Sequence, residues 1–253
     1  MTEREALLEY CLRLGDTSLI SGQRMSEWCG HAPILEEDIA MSNISLDLIG
    51  QARILLGYAG EVDGKGKSED DMAFYRDARQ FRNLLIAELP NGDFAMTVAR
   101  QYLLSVYSFY LYQSLTSSKD ASIAAFAAKS VKEVAYHVRH FGDWVIRLGD
   151  GTDESHDRIQ NAVNELWNYV DDMFVMDETD QIMLKSGIGA DLTSVREKWN
   201  AAVSALFAEA GLKTPQANNF LRVGSRNGNH TEYLGYILAE MQFLPRAYPD
   251  ARW

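Results

Sequence analysis

The sequence predicts an all-α protein, an antiparallel helical bundle with extra helices. Three observations carry that prediction. Only five prolines interrupt 253 residues, which leaves room for long helices. Apolar residues recur in steps of three and four through most of the chain. Alternation with period two, the mark of a half-buried strand, is almost absent.

Taken in order, the periodicity resolves about seven or eight helical segments. The first runs from about Glu3 to Cys29 and stops at Gly30. A second follows Pro33, a first-turn residue, with Glu36, Glu37 and Asp38 suited to the helix dipole. Its core stripe reads Met41, Ile44, Leu48, Ala52, Leu55, Ala59. The polar run GEVDGKGKSEDD separates it from a third helix ending near Pro90-Asn91-Gly92. A fourth, from about Asp93 to Ser117, is rich in aromatics: Phe94, Tyr102, Tyr107, Phe109, Tyr110 and Tyr112.

The fifth, from about Asp120 to Leu148, carries the stripe Ile123, Phe126, Ser130, Val134, Val138, Phe141, Val145 and stops at Gly149-Asp150-Gly151. A sixth covers roughly Asp153 to Thr179. The run Ser194-Val195-Arg196-Glu197 reads as a capping box opening the seventh, which Gly211 closes. An irregular stretch, GLKTPQANNFLRVGSRNGN, leads to a last helix from about Thr231. Neither a solenoid repeat nor a low-complexity tract is visible, so one helical domain over residues 1–253 is expected.

Composition narrows the function. A net charge of −12, spread along the chain, repels phosphate backbones. No basic run is longer than two or three residues, so no nucleic-acid partner is expected. Cys11 and Cys29 are the only cysteines. Both lie beside large apolar residues and read as buried thiols, too few for a disulfide or zinc framework. MTEREALLEY is charged and helix-like, without the apolar core of a signal peptide. No stretch reads as a membrane span, so a soluble, cytoplasmic protein without a membrane partner is expected.

A helical bundle with inward carboxylates invites comparison with a carboxylate-bridged di-iron centre. Such a bundle supplies one Glu from each of two helices and Glu-x-x-His from each of two others. The three-residue spacing aims both side chains at one point. None of the five histidines follows a glutamate by three residues: Glu88 is followed by Asn91 and Glu133 by Tyr136. Glu27 with His31 and Glu133 with His137 are four apart, but His31 lies beyond Gly30 and off the helix. His137 and His140 share a face and could chelate one ion, or simply pack. Arg139 between them opposes a cation.

Asn43, Asp47, Glu88, Lys132 and Glu133 fall among apolar residues. Either Asp47, Glu88, Lys132 and Glu133 are the vestige of a metal site, with Lys132 standing where a cation stood, or they cap, pair and face water. In the last irregular stretch, Arg222, Arg226 and His230 precede a helix N-terminus and could hold an anion or a partner's carboxylates; a set of turns is the alternative.

Several long blocks resemble the C-type subunits of the bacterial phenylacetyl-CoA epoxidase. They are EWCGHAPILEEDIAMSNISLDLIGQAR (Glu27 to Arg53), RQFRNLLIAELPNGDFAMTVARQY (Arg79 to Tyr102), KEVAYHVRH (Lys132 to His140), RLGDGTDES (Arg147 to Ser155) and HTEYLGYILAEMQFLPRAYP (His230 to Pro249). Together they span nearly the whole chain in the family's order. The resemblance implies a ferritin-like fold and a structural, non-catalytic role in aerobic phenylacetate breakdown. It implies an A-type partner subunit that carries the di-iron centre and epoxidises the ring of phenylacetyl-CoA. A separate reductase would supply electrons from NADPH. It assigns this chain no catalytic, metal or cofactor residue, and it predicts a homodimer within a hetero-oligomer with the other epoxidase subunits.

Two other readings compete. A working metal-dependent oxidase or iron-binding protein would draw an irregular ligand set from Asp47, Glu88, Glu133 and His137. A small-ligand module would hold an acyl-CoA in an emptied bundle centre or at the C-terminal loop.

Overall fold

The structure is a computed structural model and describes residues 1–216, 222–249 and 251. Among these, ten α-helices and three short 3-10 segments are present and no strand is. The chain is all-α, as a ferritin-like helical bundle requires. Contacts divide it into two compact units, the first formed by Met1–Pro90, Asp177–Ile182 and the chain from Gly224, the second by Asn91–Met176 and Met183–Val223.

The first unit is built on a long hairpin. α1 (Glu3–Ser26) opens on a capping box, in which Thr2 Oγ1 accepts from the Glu5 amide and Glu5 accepts from the Thr2 amide. α2 (Leu35–Asp63) lacks a side-chain cap at Ile34 and relies on Glu36, Glu37 and Asp38 in its first turn. Gly64, at φ 70°, ends it. Of the expected stripe, Met41, Ile44, Ala52, Leu55 and Ala59 are at most 2% exposed. The two helices run antiparallel: Arg4 Nε donates to Val62 O (2.7 Å) and Ser45 Oγ to Gly22 O (2.8 Å). α2 alone among the described helices is long and apolar enough to cross a membrane. That corrects the sequence reading, which found no such stretch. The reason is that α2 is apolar on its outer side as well as its inner one.

The expected third helix is three pieces: α3 (Glu69–Phe74), a 3-10 turn (Ala78–Gln80) and α4 (Leu85–Glu88). The chain breaks because Arg76 turns back to donate to Met72 O and Gln80 O, and because Asp16 draws the Arg82 amide away from any helix (2.8 Å). α1 also stops at Ser26, three residues short of expectation.

In the second unit, α5 (Phe94–Leu115) and α6 (Ala121–Gly149) form another antiparallel pair, capped by Asp93 and Asp120. Edge-on aromatic contacts between Phe94 and Trp144 and between Tyr112 and Phe126, each 5.0 Å between centroids, fix the register. α7 (Asp153–Leu166) packs on this pair and gives way to a 3-10 segment, Trp167–Phe174, rather than continuing to Thr179. There Trp167 and Phe174 turn onto Trp199, which is fully buried and donates to Leu103 O (2.9 Å). α8 (Glu178–Ser186) follows, its residues up to Ile182 belonging to the first unit. α9 (Leu192–Glu209) is capped by Asp191, so the expected box at Ser194 lies inside the helix. α10 (Glu232–Ala247), capped by Thr231, belongs to the first unit. Of the thiols, Cys11 is buried but Cys29 is exposed, contrary to the expectation of two buried ones.

The end of α6 is the tightest approach. A Cβ at Gly149 would stand 2.2 Å from the Ala210 carbonyl oxygen, whereas one at Gly50 would meet nothing within 4 Å. Gly149→Ala should therefore destabilise the protein by about 1–3 kcal/mol despite alanine's better helix propensity. Gly50→Ala should stabilise it by up to about 1 kcal/mol. Urea unfolding of both variants measures the contrast, and equal effects would contradict the packing described.

Candidate functional site

The polar interior of the first unit is built around Glu88. The one-turn helix α4 carries this side chain inward, and it is wholly buried. A carboxylate there must be matched by donors, because its bare desolvation cost is several kcal/mol. Thr231 N–H donates to Oε1 (2.5 Å), and Asn83 Nδ2 (2.9 Å) and His230 Nδ1 (3.0 Å) donate to Oε2. Arg24 donates through Nε and Nη2 to the Glu88 carbonyl, at 3.2 and 2.9 Å. His230 faces a second acceptor, since its Nε2 lies 2.9 Å from Phe81 O. Acceptors at both ring nitrogens favour the protonated imidazole. Burial, the largest single effect, opposes that charge, but the Glu88 hydrogen bond and charge, the Phe81 carbonyl and the Asp16 charge together raise the His230 pKa above its ordinary value.

Two further clusters repeat the pattern. Asp16, fully buried, accepts from both terminal nitrogens of Arg76 and from the Arg82 amide. Arg13 bridges Asp177 and Asp180, donating to Asp177 Oδ1 and Oδ2 (2.9 and 2.5 Å) and to Asp180 Oδ2 (2.8 Å). Arg226 approaches Asp180 at 3.9 Å. Partial burial pushes Asp177 up, but the Arg13 hydrogen bond and charge prevail and hold it at about 2. For Asp180, burial prevails over Arg226 and Arg13 and raises it.

The residues singled out in the sequence do not assemble into one site. Glu88 turns inward, but its donors are Asn83, His230 and Thr231 rather than a lysine. Lys132 is exposed, and Glu133 pairs with Lys129 one turn back at 3.5 Å. The proposed substitution of a cation by Lys132 is thus corrected. Asp47 is half-buried and Asn43 exposed. His137 is buried, and both His137 and His140 lie against the Tyr136 ring. Glu27 accepts from Arg24, while the His31 ring bonds Cys29 O, so that pair does not converge.

Residues 217–221 of the C-terminal loop lie outside the described residues, and the described ones do not form an exposed basic site. Arg226 and His230 face inward, leaving Arg222 exposed over the Tyr169 ring. In the aromatic fourth helix, Tyr102, Tyr107 and Tyr112 are core residues. Sequence reading missed Arg13, Asp16, Arg76 and Asp180. The signal available was charge within apolar runs such as LRLGDTSLI; their partners lie 60 to 167 residues away.

These residues do not fit a di-iron centre. Among the described residues, no group of three or more His, Cys, Asp or Glu side chains is placed to hold a metal ion. Glu88, the deepest of the carboxylates considered, is already engaged by three donors. What the cluster can do is mechanical: it ties the start of α10 to α4 and α1.

Comparison with known proteins gives the family. Residues 1–253 match the family described as phenylacetic acid catabolic protein. The chain belongs to that family. It is 48% identical over 247 residues to the C-type subunit of the 1,2-phenylacetyl-CoA epoxidase of Escherichia coli (strain K12), covering 98% of this chain and 99% of that relative.

The buried pair has a testable energetic signature. Glu88→Ala removes the buried acceptor shared by Asn83, His230 and Thr231 and should cost about 3–5 kcal/mol. Because the folded His230 pKa is raised, its contribution is complete below about pH 6.5 and is lost as pH rises through the folded value. Urea midpoints measured from pH 6 to 9 should decline in the wild type, and this decline should flatten in His230→Gln. An unchanged slope would exclude the charged pair.

Proposed function

We propose that this chain is the structural, non-catalytic subunit of a multicomponent di-iron phenylacetyl-CoA epoxidase, acting in aerobic phenylacetate degradation. The observation that carries the reading is end-to-end similarity to a C-type epoxidase subunit, at 48% identity with no large segment unmatched on either side. The lack of Glu-x-x-His at every histidine supports it independently.

In this reading, the chain works as one helical domain in the cytoplasm and forms a homodimer within a hetero-oligomer. It holds an A-type subunit in working shape. That subunit carries the di-iron centre, and a reductase draws on NADPH. The chain itself binds no cofactor. The oxidase alternative gains no support from Asp47, Glu88, Glu133 and His137, which are engaged or dispersed as described.

Two measurements test the proposal. Protein purified after aerobic expression with added iron should contain no stoichiometric iron, manganese or zinc; two irons per chain with an oxo-bridged absorption band would sink it. Co-expressed with the A-type subunit, the chain should form a stable hetero-oligomer. NADPH-dependent epoxidation should require the A-type subunit, the reductase and this chain together. Full activity of the A-type subunit without this chain, or of this chain without it, would show the assignment to be wrong.

A further inference from the structure

α2 is apolar on both sides. Its inner stripe packs on α1, while Leu35, Ile39, Leu46 and Ile54 on the outer side are 71%, 54%, 66% and 40% exposed. Ile39 and Leu46 are seven residues apart, as are Gly50 and Gly57, and the four positions fall on one side of the helix. A Cβ added at Gly50 or Gly57 would meet nothing within 4 Å, so both are open notches beside the aliphatic knobs. From Leu35 to Gly57 the seam is about 33 Å long. Single exposed apolar residues need no explanation, but an aligned row of this length marks a surface that is covered in use.

The spacing and the charges define what covers it. A seven-residue repeat suits a second long helix lying nearly along α2, crossing at about 20°. Glu36 and Glu61, both exposed, stand near the two ends of the seam. A second copy of this chain docked antiparallel would bring each Glu36 against the other chain's Glu61. Docked parallel, it would bring like against like at every position. Either arrangement sets acid against acid in a chain already at −12. Lipid is a poor occupant too, since Asn43 and the 77% exposed Arg53 side chain, paired with Glu69, interrupt the seam.

We infer that the outer face of α2, from Leu35 to Gly57, is the seam on which a different subunit docks, through a long helix whose apolar ridge is flanked by basic residues. This rests on the structural-subunit reading above and adds which face makes the contact. Bulky side chains of the incoming helix occupy the notches at Gly50 and Gly57, and its basic flanks meet Glu36 and Glu61.

The test is co-expression with the cognate A-type subunit, capture by a tag on that subunit, and size-exclusion chromatography with light scattering. The Gly50→Leu/Gly57→Leu double variant fills the notches from two positions where an added Cβ meets nothing within 4 Å. It should melt no lower than wild type by circular dichroism, yet weaken the complex at least tenfold. Leu46→Glu should do the same, and Glu36→Lys/Glu61→Lys should weaken it several-fold at low salt. Capture of all three folded variants at wild-type strength overturns the seam while leaving the structural-subunit reading intact. Failure of the wild type to join the A-type subunit overturns both. If the chain alone is a dimer that these substitutions split, the occupant is a second copy and the inference is wrong. Flotation of the wild type, but not of Leu46→Glu, with phosphatidylcholine vesicles would assign the face to lipid and overturn it likewise.

Discussion

The buried charge of Glu88 constrains much of the first unit, because an unmatched carboxylate at that depth would cost several kcal/mol against a total stability of roughly 5–15. Its three donors come from places far apart in sequence: Asn83 just before α4, and His230 and Thr231 at the entrance to α10. Asp16 imposes a similar condition on Arg76 and Arg82, and Asp180 on Arg13 and Arg226. Three discontiguous segments are brought together by charges that tolerate little displacement. Apolar packing alone is less demanding about register, since it rewards area more than direction.

A carboxylate bundle that binds iron satisfies its buried acids with metal. Here the acids are satisfied by guanidinium, imidazole, amide and backbone N–H. The distinction is one of chemistry: a carboxylate accepting several charged or amide hydrogen bonds would have to give them up to ligate an ion. The pKa shifts follow the same logic. Burial pushes against the charge in both groups, but Arg13 with the Asp180 hydrogen bonds holds Asp177 at about 2, and Glu88 with Phe81 O and Asp16 raises His230.

How much of this was legible in the sequence depends on the range of the interaction. The α2 stripe was legible because helix period is local, and so were the stops at Gly149-Asp150 and Gly211. The break of the expected third helix was not, because it is caused by Asp16, 66 residues from the amide it captures. The shortened sixth helix likewise depends on Trp199, against which Trp167 and Phe174 turn. Glu88 was conspicuous as a charge among apolar residues, yet its imidazole partner lies 142 residues on. Lys132 was misplaced for an avoidable reason. The stripe Ile123, Phe126, Ser130, Val134 already put it off the buried face of α6, so its period argued against an interior role.

A non-catalytic subunit gains from interior charge pairs in a way that an isolated domain need not. Docking loses affinity to whatever ordering the surface must undergo on contact. The hairpin of α1 and α2 is anchored at its open end by Arg4 on the Val62 carbonyl and near its closed end by Ser45 on Gly22. On the side of α1, Arg13 and Asp16 fasten it to the 177–182 segment and to the chain around Arg76. The outer face of α2 is therefore presented by a helix whose inner face has few other positions to take. Polar pairing inside and exposed aliphatic residues outside are two parts of one arrangement, in which directional bonds fix the helix and the non-directional hydrophobic contact is left for another chain.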